Sequence, residues 1–245
     1  MTDYEPSTYG DEIADIYDEL HGWHLDTGTA VETLGRLAGD GPVLELGVGT
    51  GRIAAPLAER GIEVHGIDAS EVMVAKLPEK PGGDRVRVAI GDFADVDAPA
   101  DSYSMIFVVF NTLFALESQE EQARCFAKVA DRLAPEGIFV VEAFVPDPGR
   151  FDRGQRVEVA RVETDSAVLN VSVHDPVGQR VVSQHVIIRD GTIRQVPVEV
   201  RYAWPSELDL MARLAGLELR SRHDGWLEES FTASSARHVS VYERA

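Results

Sequence analysis

The stretch Val43-Leu44-Glu45-Leu46-Gly47-Val48-Gly49-Thr50-Gly51 decides how this chain is read. Residues 43–46 read as a buried strand, and three alternating glycines follow it. A helical pattern begins at once in Arg52-Ile53-Ala54-Ala55-Pro56-Leu57-Ala58. Glycine permits positive φ and carries no Cβ, so a ligand can lie against the backbone. The helix start beyond it offers free N–H groups and the positive end of a dipole. A second apolar strand, 63–67, ends in Asp68, seventeen residues past Gly51. A carboxylate at that strand tip is placed to accept hydrogen bonds from a ribose diol, as in nucleotide-binding βαβ units.

The same alternation continues outward. Spacing predicts helices at 11–20 and 26–37 ahead of the first strand, with Gly39-Asp40-Gly41-Pro42 as the stop. It then predicts helix 51–60, helix 70–77, strand 86–90, strand 104–109, helix 119–133 and strand 138–144. Alternating strands and helices imply parallel units with right-handed crossovers. Past Pro146 the period changes to two, with strands near 156–162, 167–174, 180–189 and 193–202. Asp190-Gly191 is a hairpin signal between the last two. A helix at 205–215 and strands at 217–222 and 238–242 close the chain.

The glycine spacing separates two cofactor classes. A dinucleotide site takes G-x-G-x-x-G, which seats a pyrophosphate on the helix end. Here the spacing is G-x-G-x-G, and Glu45 precedes the first glycine by two residues, which suits a cationic ligand better. Glu45-Leu46-Gly47-Val48-Gly49-Thr50-Gly51 resembles the (D/E)-x-G-x-G-x-G motif of the class I S-adenosylmethionine-dependent methyltransferases. The chain is most similar to the small-molecule branch, which includes bacterial metabolite-tailoring and amino-sugar N-methyltransferases.

The resemblance implies an α/β fold: a Rossmann-like, seven-stranded, mostly parallel sheet with an antiparallel last strand, plus a small inserted antiparallel sheet. It implies one domain over 1–245. Within it, 1–40 form a helical lid and 41–145 the cofactor-binding half. Residues 146–203 form an antiparallel insertion serving as substrate lid, dimer contact or both, and 204–245 the last helix and strand pair. S-adenosyl-L-methionine is the implied cofactor. Its binding residues are expected to be Tyr17, Glu45, Gly47, Gly49, Gly51, Asp68, Ala69, Met73, Asp92, Phe93 and Asn111. Asp92 would take the adenine amine while Phe93 packs on the ring. Tyr17-Asp18-Glu19-Leu20 matches the lid helix of these enzymes. Asn111-Thr112-Leu113-Phe114 departs from the (N/D)-P-P-(Y/F) motif of enzymes that methylate planar amines, which lowers nucleic-acid and protein amides as acceptors.

Methyl transfer needs a base when the acceptor arrives protonated, and histidine titrates in the right range. His24 in the lid and His185 in the insertion are the expected catalytic residues, with His21, His174 and His223 as further candidates. No metal-ligand spacing is present, so no metal is expected.

Composition narrows the partners. The 42 acidic residues against 23 basic ones give a net charge of −19. That disfavours nucleic acid, which needs a basic patch, and anionic membrane. Cys125 is the single cysteine, so no internal disulfide or cysteine zinc site forms. No leader pattern opens the chain, and no apolar run reaches the ~18 residues of a spanning helix. A cytoplasmic protein with a small-molecule methyl acceptor, at nitrogen or oxygen, is expected, and a homodimer through the inserted sheet stays open beside the lid reading. Two other readings stand beside it: a nicotinamide-dependent oxidoreductase, and a non-catalytic cofactor-binding partner subunit.

Overall fold

The computed structural model describes residues 5–21 and 26–245. Val43–Leu46 (β1) is buried along its whole length. It pairs in parallel with Val64–Asp68 (β2) on one side and with Tyr103–Val108 (β4) on the other. The strand order therefore reverses at β1, and ligands of open α/β sheets bind beyond the carboxyl ends of strands at such a point. Arg87–Ile90 (β3) extends the sheet past β2 in parallel. Leu133–Phe144 (β5) extends it past β4 in parallel. Arg237–Arg244 (β11) then runs antiparallel to β5, and Leu217–His223 (β10) antiparallel to β11. The resulting order is β10-β11-β5-β4-β1-β2-β3.

Helices cover both faces, as a sheet buried on two sides requires. On one face Thr27–Leu37 (α3) and Ala54–Glu59 (α4) pack over Val43, Met105, Phe107 and Val140. On the other, Gln119–Arg132 (α6) and Pro205–Leu214 (α7) pack over Leu44, Ile106, Phe139 and Tyr242. Helix starts follow local chemistry. Ser118 and Glu121 form a reciprocal capping box on α6, and Asp26 caps α3 through the Thr29 amide. Ser70 caps the short helix Glu71–Val74 (α5).

Strands Gln155–Val162 (β6), Ser166–Asp175 (β7), Arg180–Arg189 (β8) and Thr192–Arg201 (β9) form a separate antiparallel meander. Its last turn places Asp190 at φ 50° and Gly191 at φ 74°, the left-handed pair expected of that dipeptide.

Several boundaries differ from the sequence expectation. The expected helix 11–20 is two short helices, Thr8–Ile13 (α1) and Tyr17–His21 (α2), separated by a turn closed by Ile16 N–H on the Ile13 carbonyl. The break buries Ile13 against Val168, Ile187 and Val196 of the meander while Tyr17 reaches the cavity. α4 starts at Ala54 rather than 51 because the glycine loop runs further. α5 ends at Val74, ahead of a 3-10 turn that contains Pro78. β5 begins at Leu133, joined to the main run through an irregularity opposite Tyr103.

Candidate active site

Past the carboxyl end of β1 the chain folds into a loop with φ +71° at Gly47 and +77° at Gly51. A Cβ on Gly47 would stand 2.4 Å from Thr112 Cγ2, so both the angle and the contact demand glycine. Asp68, at the tip of β2, holds the loop. Its Oδ2 accepts from Gly49 N–H at 2.7 Å, and its Oδ1 from Ser70 N–H at 2.9 Å. A carboxylate has about four lone-pair sites, so acceptor capacity for a diol remains. Burial raises the Asp68 pKa from the usual carboxylate value.

One cavity of about 650 Å³ opens from this loop toward the inserted sheet. That volume lies within the ~300–1,000 Å³ of small-molecule sites. Its walls bring together Tyr17, Gly47, Gly49, Asp68, Ala69, Met73, Asp92, Phe93, Asn111 and His185. Glu45 and Gly51 are absent from the lining residues. His24, like Trp23, lies outside the described residues. Asp92 Oδ1 accepts from Ala94 N–H at 2.8 Å and so shapes the turn after β3, while the residue also lines the cavity.

Glu45 is 3% exposed, and burial pushes its carboxyl up to about 8. The Arg52 guanidinium and the Ala54 amide pull it the other way. Arg52 was not singled out by the sequence, where it reads as the first position of a helix. In the fold it belongs to the glycine loop. It donates to Thr27 Oγ1 at 3.0 Å, hydrogen-bonds Tyr17, and lies 5.4 Å from the Phe110 ring centroid. Burial lifts the Tyr17 phenol to about 12, so it stays protonated at neutral pH. Glu45 Oε2 and Arg52 Nε are buried without hydrogen-bond partners. Neither residue lines the cavity, but an orphaned acceptor at the end of β1 and an orphaned donor in the adjoining glycine loop are groups that a ligand carrying both an ammonium and a carboxylate, as a methionine end does, would satisfy.

The N-terminal helices α1 and α2 are tied down on both sides. Lys80 Nζ reaches Asp18 Oδ2 at 2.6 Å and the Thr50 carbonyl at 2.9 Å, and Ser70 Oγ donates to Asp11 at 2.6 Å. On the sheet side Arg194 pairs with Asp15, and Arg189 with Glu19. Tyr9 and His21 thereby enter the cavity wall, with Tyr9 Oη 2.8 Å from His21 Nε2. His21 lies 4.9 Å from Tyr17, 5.3 Å from Phe110 and 6.3 Å from His185, centroid to centroid. An aromatic enclosure of this kind stabilises a cationic ligand group.

Phe110 and Asn111 both adopt left-handed φ, 56° and 65°. Glu142, also missed by the sequence reading, holds this strained turn. Its Oε2 accepts from Phe110 N–H at 2.9 Å and its Oε1 from Trp226 Nε1 at 2.8 Å. Asn111 Oδ1 accepts from Phe144 N–H at 2.7 Å. On the roof, His185 Nδ1 meets Asn170 Oδ1 at 2.5 Å. An amide oxygen accepts, so Nδ1 carries the proton and Nε2 keeps its lone pair. Burial lowers the His185 pKa and keeps the ring neutral. Nearby, Ser172 and Ser183 hydroxyls pair at 2.9 Å, and His174 Nε2 meets Tyr202 Oη at 2.9 Å. No cluster of three or more metal-ligating side chains occurs among the described residues. None of the described helices is long and apolar enough to cross a membrane.

Comparison with known proteins places these features. The family model described as "Methyltransferase domain" matches residues 43–137. The CcbJ methyltransferase of Streptomyces caelestis is 44% identical, with a TM-score of 0.93 over 99% of this chain and 100% of that one. The cypemycin N-terminal methyltransferase of a Streptomyces species is 28% identical over 98% of this chain and 99% of its own. The S-adenosylmethionine-bound CalS10, an amino pentose methyltransferase from Micromonospora echinaspora, is 21% identical. It shares the fold at a TM-score of 0.69 over 94% of this chain and 96% of that one.

Proposed function

The chain belongs to the S-adenosylmethionine-dependent methyltransferases, and from that premise we propose that it methylates the amine nitrogen of a small, polar molecule. The observation that carries this reading is the continuity of the cavity. One wall is the glycine loop with Asp68, and the opposite wall is the polar face of the inserted sheet with His185. Residues 146–203 then serve as the roof of the acceptor site, on a protein working in the cytoplasm.

S-adenosylmethionine supplies, when bound, a methyl group already activated on a sulfonium. Asp68 would hold its ribose hydroxyls, Asp92 and Phe93 its adenine, and Glu45 and Arg52 with Tyr17 its ammonium and carboxylate. The lid and the roof exclude water and align the acceptor, which is where most of the rate gain of such a transfer lies. The acceptor nitrogen would give its lone pair to the methyl carbon as the carbon–sulfur bond breaks and its electron pair stays on sulfur, and His185 Nε2 would take the proton that the methylated amine loses.

An amine is favoured over an anionic acceptor by the sign of the walls. Glu117, Glu121, Asp147, Glu158 and Glu199 line the acceptor side with Arg150 and Arg156. Arg180 pairs with Glu117 and Glu199. Five carboxylates thus face three guanidiniums, leaving an excess of negative charge that attracts a cation. Several relatives are named for N-methylation, including the cypemycin enzyme and the sugar N-methyltransferase KedS8. Family membership displaces the nicotinamide reading, whose cofactor needs a phosphate seat that this glycine spacing does not make.

Calorimetric titration with S-adenosylmethionine, S-adenosylhomocysteine and NADH tests the cofactor half. Micromolar binding of the first two, about −8 kcal/mol, is expected, with none for NADH. Mass spectrometry on amino sugars and small peptides with free amines tests the acceptor half, each gaining 14 Da per methyl, about one CH2, if the reading holds. Tight cofactor binding with no transfer to any amine would instead leave the non-catalytic partner subunit.

A further inference from the structure

The inner face of the inserted sheet is ordered in rows. Successive side chains of a strand alternate faces, and residues directly opposite on neighbouring strands stand about 4.5–5.5 Å apart at Cβ. Glu158 on β6 lies opposite Asn170 on β7, Asn170 opposite His185 on β8, and His185 opposite Val196 on β9. Glu158, Asn170 and His185 all line the cavity. The row beside it holds Arg156, Ser172 and Ser183. The imidazole thus has a carboxylate two strands away, with a neutral amide between them.

Three features of this row act on the ring. Asn170 Oδ1 stands 2.5 Å from His185 Nδ1 and can only accept, so the ring proton is on that nitrogen. Glu158 is occupied elsewhere: Arg156 pairs with its Oε1 at 2.6 Å and Arg150 with its Oε2 at 3.4 Å. The titratable groups facing the ring from the other elements are Tyr9 of α1 and His21 of α2, each 6.3 Å away centroid to centroid, while β9 presents Val196. Burial alone lowers the pKa of His185, with no charged neighbour contributing.

We propose that Asn170 is the positioning residue of the acceptor site: its side-chain oxygen fixes His185 as the Nδ1–H tautomer, with the Nε2 lone pair open to the acceptor amine, and it orients the ring without adding charge. This rests on His185 as the base of the reaction proposed above. Which imidazole nitrogen carries the proton is set by the hydrogen bond the other one makes, and a base held in the wrong tautomer is lost to the reaction however well it is placed. An aspartate of the same shape would hold the same proton, but a carboxylate at this distance favours the imidazolium, and a ring already charged cannot take a proton from the amine. With asparagine, Nε2 takes that proton, Nδ1 keeps its own, and the imidazolium still donates to the amide oxygen.

Nitrogen-15 spectra of the full chain labelled at its histidines test this without reference to activity, the His185 signals being those lost in His185→Ala. Wild type is expected to show a protonated Nδ1 and a bare Nε2 at neutral pH. Asn170→Ala should mix the two tautomers and lower kcat by about tenfold, part of the ~10²–10⁴ that a positioned base contributes, with S-adenosylhomocysteine affinity essentially unchanged. Asn170→Asp should restore the Nδ1–H signal and recover most of the lost rate at high pH. It should also raise the pH at which the ring charges by about one to three units, both in the spectra and in the acid limb of the rate profile. A merely structural asparagine would move neither the tautomer nor that limb, and the aspartate variant keeps the test open should the alanine variant fail to fold. A wild-type ring protonated at Nε2, an Asn170→Ala ring still wholly in the Nδ1–H form, or an Asn170→Asp ring that charges at the wild-type pH overturns the proposal. The expected spectra in a protein that methylates no amine would support the hold of Asn170 on the ring and sink the amine reading instead.

Discussion

The cofactor half and the inserted sheet do their work through different parts of the chain. At 43–68 the chemistry is in the backbone. Left-handed glycines, the amides of Gly49 and Ser70, and a strand-tip carboxylate define the site. In the inserted sheet the backbone is an ordinary meander, and the chemistry is in side chains projecting every second residue: Asn170, Ser172, His174, Ser183 and His185. Backbone chemistry needs particular residues at fixed spacing. Side-chain chemistry on a regular sheet can be rewritten without disturbing the fold. The first half therefore announces its ligand, and the second, on the function proposed above, would carry the selectivity.

Breaking the backbone half should have the largest effect. Gly47→Ala forces a Cβ into Thr112 Cγ2 and a side chain into φ +71°. Left-handed strain alone is about 1–2 kcal/mol, and the steric contact adds to it. Affinity for S-adenosylhomocysteine is expected to fall roughly a hundredfold or more. The titration should show this while circular dichroism reports an unchanged fold. Binding within threefold of wild type would mean that the loop is not the cofactor seat.

The side-chain half should respond in the opposite sense. His185→Ala is expected to lower kcat by about a hundredfold and to leave S-adenosylhomocysteine affinity within about twofold. The pH profile gives the sign. As the proposed base His185 would work as neutral imidazole, and burial lowers its pKa below the usual 6.5. Wild-type activity should therefore persist to a lower pH than an ordinary histidine allows, then fall as pH drops through the depressed value. His185→Ala should lack that acid limb. An unchanged profile with unchanged kcat would move the base to the Tyr9–His21 pair.

The contrast also accounts for what the sequence disclosed. The strand-loop-helix unit was legible, and so was the place of Asp68 and Asp92-Phe93 in the cavity wall, because each depends on residue type at a fixed register. The meander was legible within a residue or two, because Asp190-Gly191 and period-two alternation are local signals. The lid was not. Ile13, Ile16, Tyr17 and Leu20 keep helical spacing across a turn that only packing on Val168 and Val196 imposes. Arg52 and Glu142 were missed for a related reason. Each is one charged residue inside a regular pattern, and its role comes from contacts 32 or more positions away for Glu142 and from a loop that displaces the helix start for Arg52. An arginine directly after a G-x-G-x-G run that also contains a buried acid was the available signal.

A subtler effect joins the two kinds of chemistry at Glu45, a side chain inside the backbone half. Without ligand its carboxyl titrates at about 8 because burial dominates. Such a group favours the folded state when protonated, so the free protein should lose stability as pH rises from about 4.5 toward about 8. An ammonium beside it reverses the preference. Cofactor binding at pH 7 should then release close to one proton, and affinity should rise up to tenfold per pH unit below 8. Titration heats in phosphate and in Tris, whose ionisation enthalpies differ, measure the released proton directly. Glu45→Gln should abolish the buffer dependence and flatten the pH profile of affinity while preserving the shape of the pocket. Equal heats in both buffers for wild type would show that Glu45 is already ionised in the free protein. Arg52, rather than the cofactor's ammonium, would then be its partner, and the orphaned Oε2 would be a matter of internal pairing rather than a ligand contact.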